Sequence, residues 1–286
     1  MHRSALAFLV VLAAALVAVS FSAAAPRAKP RVYHRIISLS PTITEDLFKI
    51  GAGEQVIAVD QASNYPARAP QTDLSGYTPN VEAIAGYHPD LVLISYNPQG
   101  FAGQLRKLGI KVVMEPAAAD LAGAYTEIDG LGRLTGHKAG AASVVRWMKR
   151  RIAQIVATVP PLRRHLRVYH ELDPTYYSAA SHTFIGSIYR LFGFTNIADG
   201  PGQSTHTQYP QLSNEYIVAS NPQIIVLADT KCCGQTAATV AARPGWSGIS
   251  AVKRDRVVGV SDDIASRWGP RIVQFAAAVA AIAKPH

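Results

Sequence analysis

Asn80-Val-Glu-Ala-Ile-Ala-Gly-Tyr-His-Pro-Asp-Leu-Val-Leu-Ile-Ser95 recurs at a constant offset of 133 as Ser213-Asn-Glu-Tyr-Ile-Val-Ala-Ser-Asn-Pro-Gln-Ile-Ile-Val-Leu-Ala228. In each copy a Glu (Glu82, Glu215) opens a short helical run. An Ile (Ile84, Ile217) follows two places on, a turn carries Pro89 or Pro222, and an uninterrupted aliphatic run comes next. Four consecutive aliphatics bounded by turn residues read as a strand covered on both faces, the signature of a parallel sheet between helices. Two copies of one such unit predict two similar α/β lobes.

The same alternation extends on either side. Arg35–Ser40, Gln55–Val59 and Lys111–Met114 join Leu91–Ser95 as expected strands of the first half. Leu166–His170 and Arg256–Val260 join Gln223–Leu227 in the second, with a helix over Phe184–Phe192. Thr42 and Glu45 have capping-box spacing at the head of a helix that Gly51 would end. Between the halves, Val144, Val145, Met148, Ile152, Ile155, Val156 and Val159 form one apolar stripe at helical spacing, with Arg146, Lys149, Arg150 and Arg151 opposite. Pro160 and Pro161 stop it. The expected organisation is a lobe over 35–135, a linking helix over 136–160 and a lobe over 161–286. Ahead of these, His2 and Arg3 precede an apolar run and the small-residue exit Ala23–Ala25, which read as a signal peptide over 1–25 and a tether over 26–34. An uncleaved anchor is the alternative, because Ala5–Ala25 is just long enough to span a bilayer.

The 286 residues are 49% hydrophobic and 16% charged, which excludes wholesale disorder. The net charge of +9 is scattered, with no basic stripe interleaved with aromatics, so no nucleic-acid partner is expected. The chain has no Walker loop, no GxSxG elbow and no HExxH. Gly51-Ala-Gly53 lacks the third Gly of a dinucleotide fingerprint and follows a helix. His165 and His170, five apart, are a poor metal spacing. No catalytic activity, resident metal or cofactor is therefore expected. The two cysteines, Cys232 and Cys233, are neighbours and could be a vicinal disulfide or two thiols.

Polar and aromatic residues gather where the expected strands end, which is where open α/β sheets bind ligands. They include Ser63, Asn64, Tyr65, Tyr96, Asn97, His170, Glu171, Asp229, Asp262, Arg267 and Trp268, with Tyr77, Tyr176, Tyr177 and Tyr209 in nearby loops.

RIISLSPTITEDLFKIGAGEQVIAVDQASNYP (35–66), the two repeat copies and WGPRIV (268–273) resemble periplasmic substrate-binding proteins of the helical-backbone class, which serve ABC importers. Within that class the likeness is greatest to cobalamin-binding proteins, with iron-siderophore receptors next. The resemblance implies two Rossmann-like lobes joined by one long backbone helix, a ligand cleft between the lobes and an exported, monomeric protein. It implies a corrinoid ligand, with Asn64, Tyr65 and the loop from Asp262 to Trp268 as contacts; Tyr77, Tyr96 and Tyr209, read from their place near the strand ends, complete the expected set. It also implies that Glu82 and Glu215 dock on an inner-membrane permease dimer. Tyr96-Asn97 departs from the pattern, where cobalamin binders tend to carry Trp, and so does the Cys pair. A ferric siderophore or haem is the alternative ligand, for which Lys231, Arg267 and Arg271 would supply charge. A metal-ion receptor using His170, Glu171, His206 and Asp262, or a secreted enzyme, is a more distant alternative.

Overall fold

The computed structural model describes residues 31–163, 165–200 and 207–284; the expected signal peptide and residues 26–30 of the tether lie outside the described residues. The rest of the expected tether is not free chain. Tyr33 is buried and its N–H donates to Leu134 O at 3.0 Å, and the His34 N–H donates to Asp90 Oδ2 at 2.8 Å.

The first lobe runs β1 (Ile36–Leu39), α1 (Pro41–Ile50), β2 (Val56–Val59), α2 (Val81–Gly86), β3 (Leu91–Ile94), α3 (Phe101–Lys107) and β4 (Lys111–Met114). Two helices follow, α4 (Leu121–Thr135) and α5 (Lys138–Ala157). The second lobe runs β5 (Arg167–Glu171), α6 (Phe184–Leu191), β6 (Thr195–Asn196), α7 (Asn214–Ser220), β7 (Ile224–Leu227), α8 (Thr230–Cys233), α9 (Ala237–Ala241), α10 (Ser250–Lys253), β8 (Val257–Gly259), α11 (Asp262–Ser266) and α12 (Ile272–Ala283). The sheets have orders β2-β1-β3-β4 and β6-β5-β7-β8, with every pairing parallel. They are the same order twice.

The repeat holds down to individual hydrogen bonds. Asn80 Oδ1 accepts the Ala83 N–H at the start of α2, and Ser213 Oγ accepts the Tyr216 N–H at the start of α7. Ile84 and Ile217 are both fully buried. His88 and Asn221, the residues before the two prolines, both adopt left-handed backbone, φ 49° and 46°. Arg35 then caps the carbonyl end of α2 through Tyr87 O and His88 O, while Arg167 caps that of α7 through Ser220 O and Asn221 O. Cations at a helix C-terminus satisfy orphan carbonyls and complement the dipole. The strand that follows is buried along its whole length in both copies.

Helix α5 presses Ala141, Val144, Val145, Met148, Ile152 and Ile155 into the core and leaves Arg146, Lys149, Arg150 and Arg151 exposed. Its 20 residues make a rod of about 30 Å at 1.5 Å per residue. It packs on α1 and α4 from one lobe and on α12 from the other, so one apolar cluster runs through both lobes.

Some elements escape the sequence reading. The capping box is absent: α1 starts at Pro41 with Ser40 as its N-cap, because Pro suits the first helical position, and Thr42 and Glu45 face inward instead. Helix α4 holds Gly123, Gly130 and Gly132, poor helix formers that hide its period. Gly132 is there because α5 comes close, a Cβ at that position meeting the Ala141 Cβ at 2.5 Å. Helix α12 is apolar nearly all round and so shows no stripe. Strand β6 has only two residues.

Gly140, near the start of α5, touches the Ile50 carbonyl so closely that any side chain would collide with backbone. Gly140→Ala is therefore expected to destabilise by about 1–3 kcal/mol, the usual cost of overpacking, despite alanine's better helix propensity. Urea unfolding measures it; a variant as stable as the wild type would show that α1 and α5 are not tightly apposed.

Candidate functional site

The carboxyl ends of the first lobe's strands form one wall of a pocket of about 290 Å³, and residues 266–268 of the second lobe form the other. Parallel strands bring this about, because every strand of a lobe then ends on the same side and its following loop can contribute to one crevice. Leu39 ends β1 and Ser40 follows it, Asp60 and Ala62 follow β2, and Ser95 and Tyr96 follow β3. Beneath the surface, hydroxyls tie these ends together. Ser95 Oγ donates to Ser40 Oγ at 2.7 Å, Thr44 Oγ1 bonds Ser38 and Ser63 at 2.9 Å each, and Ser63 Oγ donates to Asp60. Burial raises the Asp60 carboxyl above its ordinary value, opposed by the bonds from Ser63.

Two rings stand out of this wall. Tyr77 is 75% exposed and Tyr96 57%, with centroids 6.4 Å apart and planes inclined at 46°. Trp268 faces them from the other lobe, its Nε1–H donated at 2.7 Å to Glu127 Oε2 on α4, so the indole is held from behind while it lines the pocket.

The lobes are clamped at Glu45 on α1, 3% exposed. Arg267 Nη1 donates to its Oε1 at 2.8 Å; Arg271 donates through Nε to Oε2 at 2.8 Å and through Nη2 to Oε1 at 2.6 Å. Arg267, 8% exposed, also donates to Asn64 Oδ1 at 2.9 Å, Ala62 O at 3.2 Å and Asp263 Oδ1 at 2.7 Å. Asp263 in turn accepts from Asn64 and Lys231 at 3.0 Å each. Burial pushes the Asp263 carboxyl up, but the bonds from Lys231 and Asn64 and the Arg267 charge outweigh it and hold the group below the usual range.

Of the seven expected ligand contacts, Tyr77, Tyr96 and Trp268 share the pocket, and Asn64 sits at its edge through Arg267. The other three lie elsewhere. Tyr65 lies under the Arg271 guanidinium, 4.4 Å from the ring centroid, and lines a different pocket. Asp262 accepts from the Thr230 hydroxyl and from the backbone N–H groups of Lys231 and Cys232, which fastens α8 rather than facing a ligand. Tyr209 is on a segment hydrogen-bonded to residues 178–180, outside the pocket wall. Cys232 and Cys233 form a vicinal disulfide on α8.

The imagined metal set does not assemble. His170 is fully buried against Tyr189, 2.6 Å from its hydroxyl, and burial pushes its pKa down to about 3, so it is neutral. Glu171 is equally buried in a two-pronged pair with Arg243, at 2.6 and 2.7 Å. His206 lies outside the described residues, among which no group of three or more His, Cys, Asp or Glu is placed to hold a metal ion. No described helix is long and apolar enough to cross a membrane.

Sequence reasoning does not mark Glu45 and Asp263 as structural anchors; it leaves Arg271 open to either a ligand charge or a structural pair, and it is the pair. Two adjacent acids inside an otherwise apolar helical stretch, Glu45 and Asp46, were the available signal, since a buried carboxylate demands a partner.

A periplasmic binding protein family model matches residues 36–264. A cobalamin-binding protein of Halobacterium salinarum is 33% identical over 248 residues, which cover 84% of this chain; the match spans 66% of that relative's length. An uncharacterised ABC transporter substrate-binding lipoprotein of Bacillus subtilis is 30% identical over 84% of this chain and 76% of its own. Among solved structures, a possible iron-binding, periplasmic solute-binding protein of Staphylococcus epidermidis superposes with a TM-score of 0.75 at 27% identity, covering 88% of this chain and 99% of that one.

Behind Trp268, the Glu127 carboxyl is pushed up from its ordinary 4.5 to about 8, chiefly by burial; the Trp268 bond opposes this and the Glu115 charge adds to it. Burial, Glu127 and Glu45 likewise raise Asp46. Between pH about 4.5 and about 8 the folded chain therefore holds on Glu127 a proton that the unfolded chain has released, and the stability this contributes is lost as pH rises through that window. Glu127→Gln keeps an acceptor for the indole and removes the titration. Melting temperature should fall less between pH 5.5 and 8.5 in the variant than in the wild type; identical profiles would remove Glu127 from the account.

Proposed function

This chain belongs to the periplasmic binding protein family, and from that premise we propose that it captures a corrinoid outside the cytoplasm and delivers it to an ABC importer permease. One observation carries the choice of ligand. The exposed faces of the cleft are aromatic, while the N–H groups of its cations are already engaged by protein acceptors. Arg267 is saturated by Glu45, Asp263 and Asn64, and Lys231 is paired with Asp263. An anionic iron chelate needs convergent free cations; a bulky, nearly neutral macrocycle needs flat walls. The cobalamin-binding relative supports the same reading. The pocket is smaller than a corrinoid, so the macrocycle rests across its mouth on Tyr77 and Tyr96, with Trp268 opposite.

Calorimetry with cobinamide and cobalamin should show one site per chain. Tyr77→Ala and Tyr96→Ala should each weaken it about tenfold, the order expected when a stacked ring is worth about 1.4 kcal/mol. Saturation by a ferric siderophore or haem with no corrinoid heat would select that alternative within the same class.

Glu82 and Glu215 are the docking groups of this reading. Each is exposed in the first turn of its helix, and among the described residues neither forms an ion pair or side-chain hydrogen bond. Because α2 and α7 are held identically, the repeat presents one carboxylate on each lobe, suited to Arg forks on a two-fold permease. Glu82→Ala/Glu215→Ala should leave folding and ligand binding unchanged while uptake through a reconstituted importer falls steeply. Normal uptake, or lost ligand binding, would end the docking role.

A further inference from the structure

A second pocket, of about 330 Å³, shares no wall residue with the cleft. It is built where four separate stretches meet: Phe48 and Lys49 at the end of α1, Tyr65 to Arg68 in the loop after β2, Trp147 on α5, and Pro270 to Gln274 at the start of α12. Its size is at the lower end for small-molecule sites. The interior is apolar, with Phe48, Trp147, Pro270 and Val273, and its charge is one-sided.

Each of its three cations lies over one of its rings. Lys49 Nζ is 4.8 Å from the Trp147 centroid, and the guanidinium carbons of Arg68 and Arg271 are 5.4 Å and 4.4 Å from those of Phe48 and Tyr65. The one carboxylate lining the pocket, Glu45, has both oxygens engaged by Arg271 and Arg267. Among the described residues, Lys49 and Arg68 form no ion pair and no hydrogen bond with protein. A ring face attracts a cation but offers no lone pair, so their N–H groups remain available to an acceptor. Guanidinium planes also stack on aromatic surfaces, which an alkyl chain cannot offer them.

We propose that this pocket is a binding site for an aromatic monocarboxylate, its ring against the apolar floor and its carboxylate between Lys49 and Arg68. Such a ligand contacts α1, α5 and the start of α12 together, and touches Arg271 of the clamp. The site is independent of what the cleft binds.

The test uses 2-naphthoate as probe, followed by calorimetry and tryptophan fluorescence, with 2-naphthalenemethanol and decanoate as the uncharged and the aliphatic controls. One molecule of naphthoate per chain is expected, with the alcohol and decanoate each at least tenfold weaker. The exposed variants Lys49→Gln and Arg68→Gln should each weaken naphthoate at least tenfold at an unchanged melting temperature. Tyr77→Ala/Tyr96→Ala should bind it as the wild type does. Absence of naphthoate binding overturns the proposal, as does equal binding of either control or indifference to the Lys49 and Arg68 changes. Loss in the double Tyr variant would place the anion in the cleft and also overturn it.

Discussion

Glu45 is the point on which the two halves of this molecule agree. A carboxylate lifted out of water on α1 is tolerable only because two guanidinium groups, 222 and 226 residues away in sequence, close on it from the other lobe. Arg271 grips it with a fork, and Arg267 shares it with Asp263 and Asn64. Removing one member would strand the others in a dry place, which is costly whatever the pair contributes on balance. The clamp thus selects one arrangement of the lobes more than it adds stability. It also positions Trp268, the residue after Arg267, on the cleft.

The rigid half of the same design is α5. A hinge of extended strands leaves lobes free to swing, whereas a helix of 20 residues buried against α1, α4 and α12 belongs to the core of both. Interiors at crystalline density deform little. An apolar helix and an ionic clamp thus tie the lobes, together with the Trp268–Glu127 and Asn64–Asp263 bonds, and the cleft is shaped largely before a ligand arrives.

The site's electrostatics follow from burial more than from charge count. The chain is basic overall, yet the arginine lining the cleft pocket is already bonded to two acids, an amide and a backbone carbonyl. Behind Trp268 the Glu127 carboxyl lies so deep that burial raises its pKa to about 8, and burial raises that of Asp46 nearby as well. The outward face of the cleft is a pair of tyrosine rings. Net charge read from composition says nothing about this, because it counts side chains without their partners.

How much could be read without coordinates divides along a physical line. Buried parallel strands, the long connector and the repeat of Glu82–Pro89 as Glu215–Pro222 depend on local patterning and on the apolarity of whole segments, and both are written along the chain. The caps that hold both copies, Asn80 and Ser213 with Arg35 and Arg167 from outside the repeat, emerged only in the folded chain. Glycine-bearing α4 and uniformly apolar α12 were hidden because close helix contact and all-round burial erase the period that sequence reading relies on. Strand-end residues were legible as a set, but not their directions. Asp262 turned to α8, Tyr65 went beneath Arg271, and Tyr77, Tyr96 and Trp268 came together. Sequence by itself determined two lobes, their parallel sheets and the side on which the strand-end loops gather. Only the tertiary structure decided which side chains meet there, because that choice rests on contacts such as Glu45 with Arg267, made between residues that no local pattern relates.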